Sequence, residues 1–82
     1  MAPKLVTISV QSAGVDNVLF KLKSDTPLDR LMNKYAETVL RKNVSTLSFI
    51  YDGTKIGKKM TPEQLGISDN DVIKVVDMQL GG

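Results

Sequence analysis

Thr26-Pro27-Leu28-Asp29-Arg30-Leu31-Met32-Asn33-Lys34-Tyr35-Ala36-Glu37-Thr38-Val39-Leu40-Arg41-Lys42-Asn43 decides the architecture of this 82-residue chain. Leu28, Leu31, Met32, Tyr35, Ala36 and Val39 recur at i, i+3, i+4, i+7, i+8 and i+11, so a helix presents them on one face. Thr26 is suited to cap its start, Pro27 to its first position, and Asp29 to the first turn, where the helix dipole favours negative charge. Arg41 and Lys42 complement the other end, and Asn43 supplies a stop. The segments on either side alternate instead with a period of two.

Upstream, Leu5-Val6-Thr7-Ile8-Ser9-Val10 reads as a half-buried strand, with Val6, Ile8 and Val10 on one face. Gln11 to Asn17 reads as a turn, and Val18-Leu19-Phe20-Lys21-Leu22-Lys23 as a second strand pairing antiparallel with the first. Downstream, Leu47-Ser48-Phe49-Ile50-Tyr51 is a strand ended by the Asp52-Gly53 turn, and Thr54-Lys55-Ile56 a short one. Thr61-Pro62-Glu63-Gln64 is a capping box with proline at the first helical position, and Leu65-Gly66 ends that helix after about one turn. Ser68-Asp69-Asn70-Asp71 is a polar turn, and Val72-Ile73-Lys74-Val75-Val76 closes the pattern as a last strand. A single long helix can cover only one face of such a sheet, so the fold class is α+β, a roll. Its expected core is Val6, Ile8, Val10, Leu28, Met32, Leu47, Phe49, Leu65, Ile67 and Ile73. The second strand precedes the long crossover and is expected at an edge, where it can receive a partner's strand.

Bulk composition excludes several classes. Apolar residues make up 41% and charged residues 24%, as in an ordinary single globular domain. There is no cysteine and no histidine, so no disulfide framework, thiol nucleophile or imidazole base exists. Asp69 and Asp71 sit in a polar turn and read as solvated. An enzyme is therefore not expected, nor a metal or cofactor. No apolar run approaches the roughly 20 residues that span a bilayer, and Met-Ala-Pro-Lys begins no signal peptide. The net charge is +2, and none of the four aromatics interleaves with a basic run, which argues against nucleic acid as the main partner.

Two features are left over. Phe20 and Leu22 with Leu31 and Tyr35 can form a groove between the second strand and the helix, rimmed by Lys21, Lys23, Arg30 and Lys34. The competing reading puts all four apolar residues in the core. The other feature is Met78-Gln79-Leu80-Gly81-Gly82, where two residues without side chains suit a tunnel too narrow for others and present a carboxylate; the competing reading is a frayed chain end.

Asp52-Gly53, Thr61-Pro62-Glu63-Gln64-Leu65-Gly66, Asp71-Val72-Ile73 and Gln79-Leu80-Gly81-Gly82, together with Phe20-Lys21-Leu22-Lys23 and Leu47-Ser48-Phe49, resemble the SUMO branch of the ubiquitin-like β-grasp modifiers. The resemblance runs from about Leu5 to Gly82. It implies a mixed sheet of four to five strands packed on one main helix plus a short helix. A short flexible N-terminus (1–4), a β-grasp domain (5–77) and a flexible diglycine tail (78–82) are expected. It implies a monomeric modifier of the nucleus and cytoplasm, joined through Gly82, behind Gly81, to target lysines. The implied partners are a SUMO activating enzyme with ATP, a SUMO conjugating enzyme, ligases and a SUMO protease. Short apolar-acidic peptide motifs are expected in the groove, and Asp52, Gly53 and Asp71 as contacts for the conjugating enzyme. Leu22-Lys23-Ser24-Asp25 matches the acceptor pattern such enzymes use, although a strand-end lysine beside the groove favours a solvated rim position for Lys23. The alternative is a non-conjugated SUMO-like interaction domain. The chain departs from the family in its basic charge and in Val76, which stands where an aromatic is common.

Overall fold

The computed structural model describes residues 4–78. β1 (Leu5–Ser12) and β2 (Val15–Lys23) form an antiparallel hairpin in which Ser12 faces Val15. The turn is thus Ala13-Gly14, shorter than the Gln11–Asn17 turn expected from polarity. Strand pairing there satisfies backbone groups while the polar side chains stay in water, so polarity alone does not end the ladder. Gly14 takes φ +76, which a residue with a Cβ adopts only under strain.

The main helix starts later than Thr26 and Pro27 suggest. α1 spans Asp29–Tyr35, its N-cap is Leu28, and no side chain caps it. The physical reason lies in a distant loop. The Leu28 N–H donates to the Met60 carbonyl at 2.8 Å and the Asp29 N–H to the Lys58 carbonyl at 3.1 Å, so backbone acceptors do the work of a cap. At Ala36 the helix widens into a π-helical segment, Ala36–Leu40. The extra residue lets both Val39 and Leu40 pack against the core, where a regular helix would turn one of them away. Arg41, at φ 54, closes the segment, and the Lys42 N–H reaches back to the Ala36 carbonyl at 2.9 Å. Asn43 does not stop this helix; its side chain accepts the Ser45 N–H at 3.0 Å and caps a 3-10 turn, Val44–Thr46.

β3 (Leu47–Tyr51) and β4 (Thr54–Lys55) form a hairpin. α2 (Pro62–Leu65) carries the capping box as read from sequence. β5 (Asp71–Asp77) runs parallel to β1 and antiparallel to β3, giving one mixed five-stranded sheet in the order β2-β1-β5-β3-β4. β2 is an edge strand, as its place in the chain implies. Ile56 is buried but lies beyond β4. Lys4 and Met78, in the expected terminal segments, are both tied to the body: the Ser24 N–H donates to the Lys4 carbonyl at 2.7 Å, and the Met78 N–H to the Thr46 carbonyl at 2.9 Å.

Val6, Ile8, Val10, Leu28, Met32, Leu47, Phe49, Ile67 and Ile73 are buried between sheet and helix. Leu65 is only partly buried against this core, because its one-turn helix lies at the margin. Leu31, Tyr35, Ala36, Ile56 and Val75 join the core. The opposite sheet face meets solvent, with Leu19, Val72 and Val76 exposed.

Candidate functional site

Between β2 and α1 lies a shallow hollow of about 700 Å³. Strand alternation sends Val18, Phe20 and Leu22 toward the helix, and leaves Leu19, Lys21 and Lys23 exposed. Phe20 and Leu22 are partly buried and wall the hollow, with Leu31 at its floor. Arg30 and Lys34, one helical turn apart, stand exposed on the far side. Lys21 and Lys23 line the near side. The structure therefore brings together seven of the eight expected groove residues.

Tyr35 is the exception. It is 0% exposed and does not line the hollow. Its ring packs edge-on between Phe20 (centroids 6.1 Å apart) and Phe49 (6.3 Å), and its hydroxyl is hydrogen-bonded to the Ser12 hydroxyl. It supports the groove from behind by fixing Phe20. Leu31, 4% exposed, belongs to core and groove floor alike. Sequence reasoning missed Leu5, Asp25, Thr26 and Pro27, which also line the hollow. Leu5 was legible only through register: it sits opposite Lys23, and 63% of it is exposed.

A second cluster has the opposite charge. Asp52 (φ 52) and Gly53 (φ 78) make the two-residue turn between β3 and β4, with Tyr51 facing Thr54. Asp71 opens β5. The Tyr51 hydroxyl donates to the Asp71 carboxylate at 2.7 Å, which ties the start of β5 to the residue preceding the turn. The same carboxylate oxygen accepts the Ser68 N–H at 2.8 Å. The Ser68 N–H and then the Tyr51 hydroxyl hold the Asp71 carboxyl below the ordinary aspartate value. The hydrogen bond to Asp71, burial, and the charges of Asp71 and Asp52 raise the Tyr51 phenol. Asp69 and Asp71 are thus not simply solvated: Asp69 accepts the Thr7 N–H at 2.8 Å. Both acids take up backbone donors at the mouth of the Ser68–Asp71 turn, a use of aspartate that polarity alone does not distinguish from exposure. Tyr51 was missed as a member of this cluster.

Among the described residues, no group of acids is placed to hold a metal ion, and no helix is long and apolar enough to cross a membrane. Gly81 and Gly82 lie outside the described residues.

A family model described as Rad60-SLD, "Ubiquitin-2 like Rad60 SUMO-like", matches residues 6–76. The chain belongs to the SUMO branch of the ubiquitin-like family. Small ubiquitin-related modifier 2 of Xenopus tropicalis is 40% identical over 79 residues, spanning 92% of this chain and 80% of that protein. Small ubiquitin-related modifier 3 of Arabidopsis thaliana is 38% identical over 77 residues, spanning 94% and 68%. Solved ubiquitin-like structures share the fold at lower identity. The Caldiarchaeum subterraneum ubiquitin superposes with a TM-score of 0.83 at 18% identity, covering 96% of this chain and all of that one. The N-terminal ubiquitin-like domain of the 4931431F19Rik protein superposes at 0.79 and 22%, covering 99% and 82%. The β-grasp expectation is met, and this SUMO-family chain is not an enzyme.

Proposed function

We propose that this chain is a SUMO-like modifier joined through the Gly82 carboxyl group to lysines of target proteins. The observation that carries the reading is the sequence Gln79-Leu80-Gly81-Gly82 following the last strand of a SUMO-family domain. The Gly82 carboxylate, once free, is adenylated by an activating enzyme with ATP and passed as a thioester to that enzyme's cysteine. It then moves to a cysteine of the conjugating enzyme and ends as an isopeptide on a lysine amine. The catalytic side chains belong to those partners, which suits a chain without histidine or cysteine. The Asp52-Gly53 turn and Asp71 offer the conjugating enzyme a fixed acidic surface.

The second half of the reading concerns recognition. A short apolar peptide adds as a strand at the free edge of β2, its alternate side chains entering the hollow at Phe20, Leu22 and Leu31. Lys21, Lys23, Arg30 and Lys34 draw an acidic flank of the same peptide.

Thioester formation with SUMO activating enzyme, conjugating enzyme and ATP, read on non-reducing gels, tests the first half. The native chain is expected to form a thiol-reducible adduct. Deletion of Gly82 is expected to abolish it while peptide binding stays unchanged, and Gly81→Val to impair transfer severely because a branched side chain meets the tunnel wall. Absence of any adduct from the native chain would leave the non-conjugated interaction domain as the function.

A further inference from the structure

Two threonines of this chain precede proline, Thr26-Pro27 and Thr61-Pro62, and the fold employs them differently. Thr61 caps α2. Its hydroxyl oxygen accepts the Gln64 N–H at 3.2 Å, its own N–H donates to the Gln64 side chain at 3.0 Å, and Pro62 is buried. Reaction at that oxygen requires the capping box to open. Thr26 has no comparable task. The helix begins beyond it, capped by backbone. Its N–H donates to the Lys23 carbonyl at 2.9 Å, and its hydroxyl has no hydrogen-bond partner among the described residues. Thr26 is half-buried, as is Pro27, and both line the hollow between β2 and α1 beside Lys23 and Arg30.

We propose that Thr26 is a phosphorylation site for a proline-directed protein kinase, and that phosphate there weakens the groove's hold on acidic peptides. The proposal rests on the peptide-docking reading above and adds its regulation. Proline at the following position has a fixed φ and no N–H, so it suits a kinase pocket that offers that position no acceptor. In the transfer, the Thr26 oxygen attacks the γ-phosphorus of ATP. The new O–P bond forms as the bond from that phosphorus to the β-phosphate oxygen breaks. ADP leaves, and the hydroxyl proton passes to the kinase's catalytic carboxylate.

The product carries a charge of about −1.5 to −2 at neutral pH. Lys23 lies three residues before it and Arg30 four after, both exposed and without an ion pair among the described residues. They are also the cations best placed to meet an acidic flank. Asp25, next in sequence and in the same wall, already adds one negative charge. Phosphate and Asp25 together offset most of the positive charge of Lys21, Lys23, Arg30 and Lys34, and the phosphate oxygens compete for the same N–H donors.

The test combines mass spectrometry with titration. The native chain, Thr26→Ala and Thr61→Ala are incubated with a proline-directed kinase and ATP. One phosphate is expected on native protein and on Thr61→Ala, mapped to Thr26, and none on Thr26→Ala. A synthetic peptide of four apolar residues followed by acidic ones is then titrated into each form by NMR. Phosphorylated protein is expected to bind about three- to tenfold more weakly at low salt, with the deficit shrinking as salt rises. Thr26→Glu should fall partway with a deficit that shrinks as salt rises, whereas Thr26→Ala, which trims the hollow's lining without adding charge, should show no salt-dependent deficit. A thermal unfolding midpoint of Thr26→Glu equal to native separates the effect of added negative charge from loss of fold. No phosphate at Thr26, or unchanged peptide affinity once it is there, overturns the proposal while the docking reading stands. Unphosphorylated native protein that binds no peptide overturns the docking reading and the switch with it.

Discussion

The groove beside β2 and the turn cluster around Asp71 carry opposite charges on one small sheet, and they hold those charges in opposite ways. Lys21, Lys23, Arg30 and Lys34 reach into solvent on long chains and make no ion pair among the described residues. Asp71 is fixed by a backbone N–H and a tyrosine hydroxyl, and Asp69 by a backbone N–H on β1. A rim of free cations attracts at a distance and tolerates many partners, and salt weakens it. A carboxylate held in place offers a preset geometry, and it responds to proton concentration more than to salt. Recognition of varied peptides suits the first arrangement, and docking of one enzyme surface suits the second.

The largest expected effect removes the distinction by unfolding both regions. Leu47 is 5% exposed on β3, between the sheet and the helix that carries Arg30 and Lys34. Leu47→Ala is expected to cost about 2–5 kcal/mol, a large share of the stability of so small a domain. A denaturation midpoint equal to native would remove Leu47 from the shared core. The next effect is confined to the groove. Phe20→Ala takes away the hollow's wall and the edge contact with Tyr35, and peptide affinity is expected to fall at least about tenfold. Amide shifts around Asp52 and Asp71 should stay native; movement there would mean that the two regions are coupled through the sheet. Smaller again is charge reversal. Lys23→Glu with Arg30→Glu should weaken binding about three- to tenfold at low salt and little at high salt. A deficit that does not shrink with salt would assign those residues to packing rather than attraction.

The contrast also explains what could be read without coordinates. The core was legible because alternation and helical spacing are imposed by burial itself, as in Val6, Ile8 and Val10 against Leu28 and Met32, and the edge position of β2 because the long crossover follows it. The basic rim was legible because lysines at Lys21 and Lys23 alternate with Phe20 and Leu22. Tyr35 was ambiguous, since its i+4 spacing from Leu31 fits a groove floor and a core position equally. Only the depth of the helix against Phe49 decides between them. Thr26 and Pro27 look like a helix start, yet carbonyls of Lys58 and Met60, far along the chain, satisfy the first helical N–H groups instead. The Tyr51–Asp71 bond joins residues 20 apart in sequence. No local pattern encodes such a pairing; it follows from β3 lying beside β5.

The smallest expected effect tests whether the acidic cluster is truly fixed. Tyr51→Phe keeps the ring and removes the hydroxyl that donates to Asp71. The Asp71 carboxyl is held low in the folded state, so its stabilising contribution is complete above the ordinary aspartate range and is lost as pH falls through the lower, folded value. The Tyr51 phenol is held high, so its contribution is complete below the ordinary tyrosine range and is lost as pH rises through the higher, folded value. The stability difference between native and Tyr51→Phe should therefore be flat across neutral pH and shrink at both extremes. The Ser68 N–H still bonds Asp71 in the variant, so the Asp71 carboxyl should move only partway back toward its ordinary value in an NMR pH titration. Groove binding should not change at any salt concentration. A difference between native and variant that persists unchanged at acid pH would mean the hydroxyl acts through packing, and the carboxylate would then be as loosely held as the lysines it is contrasted with.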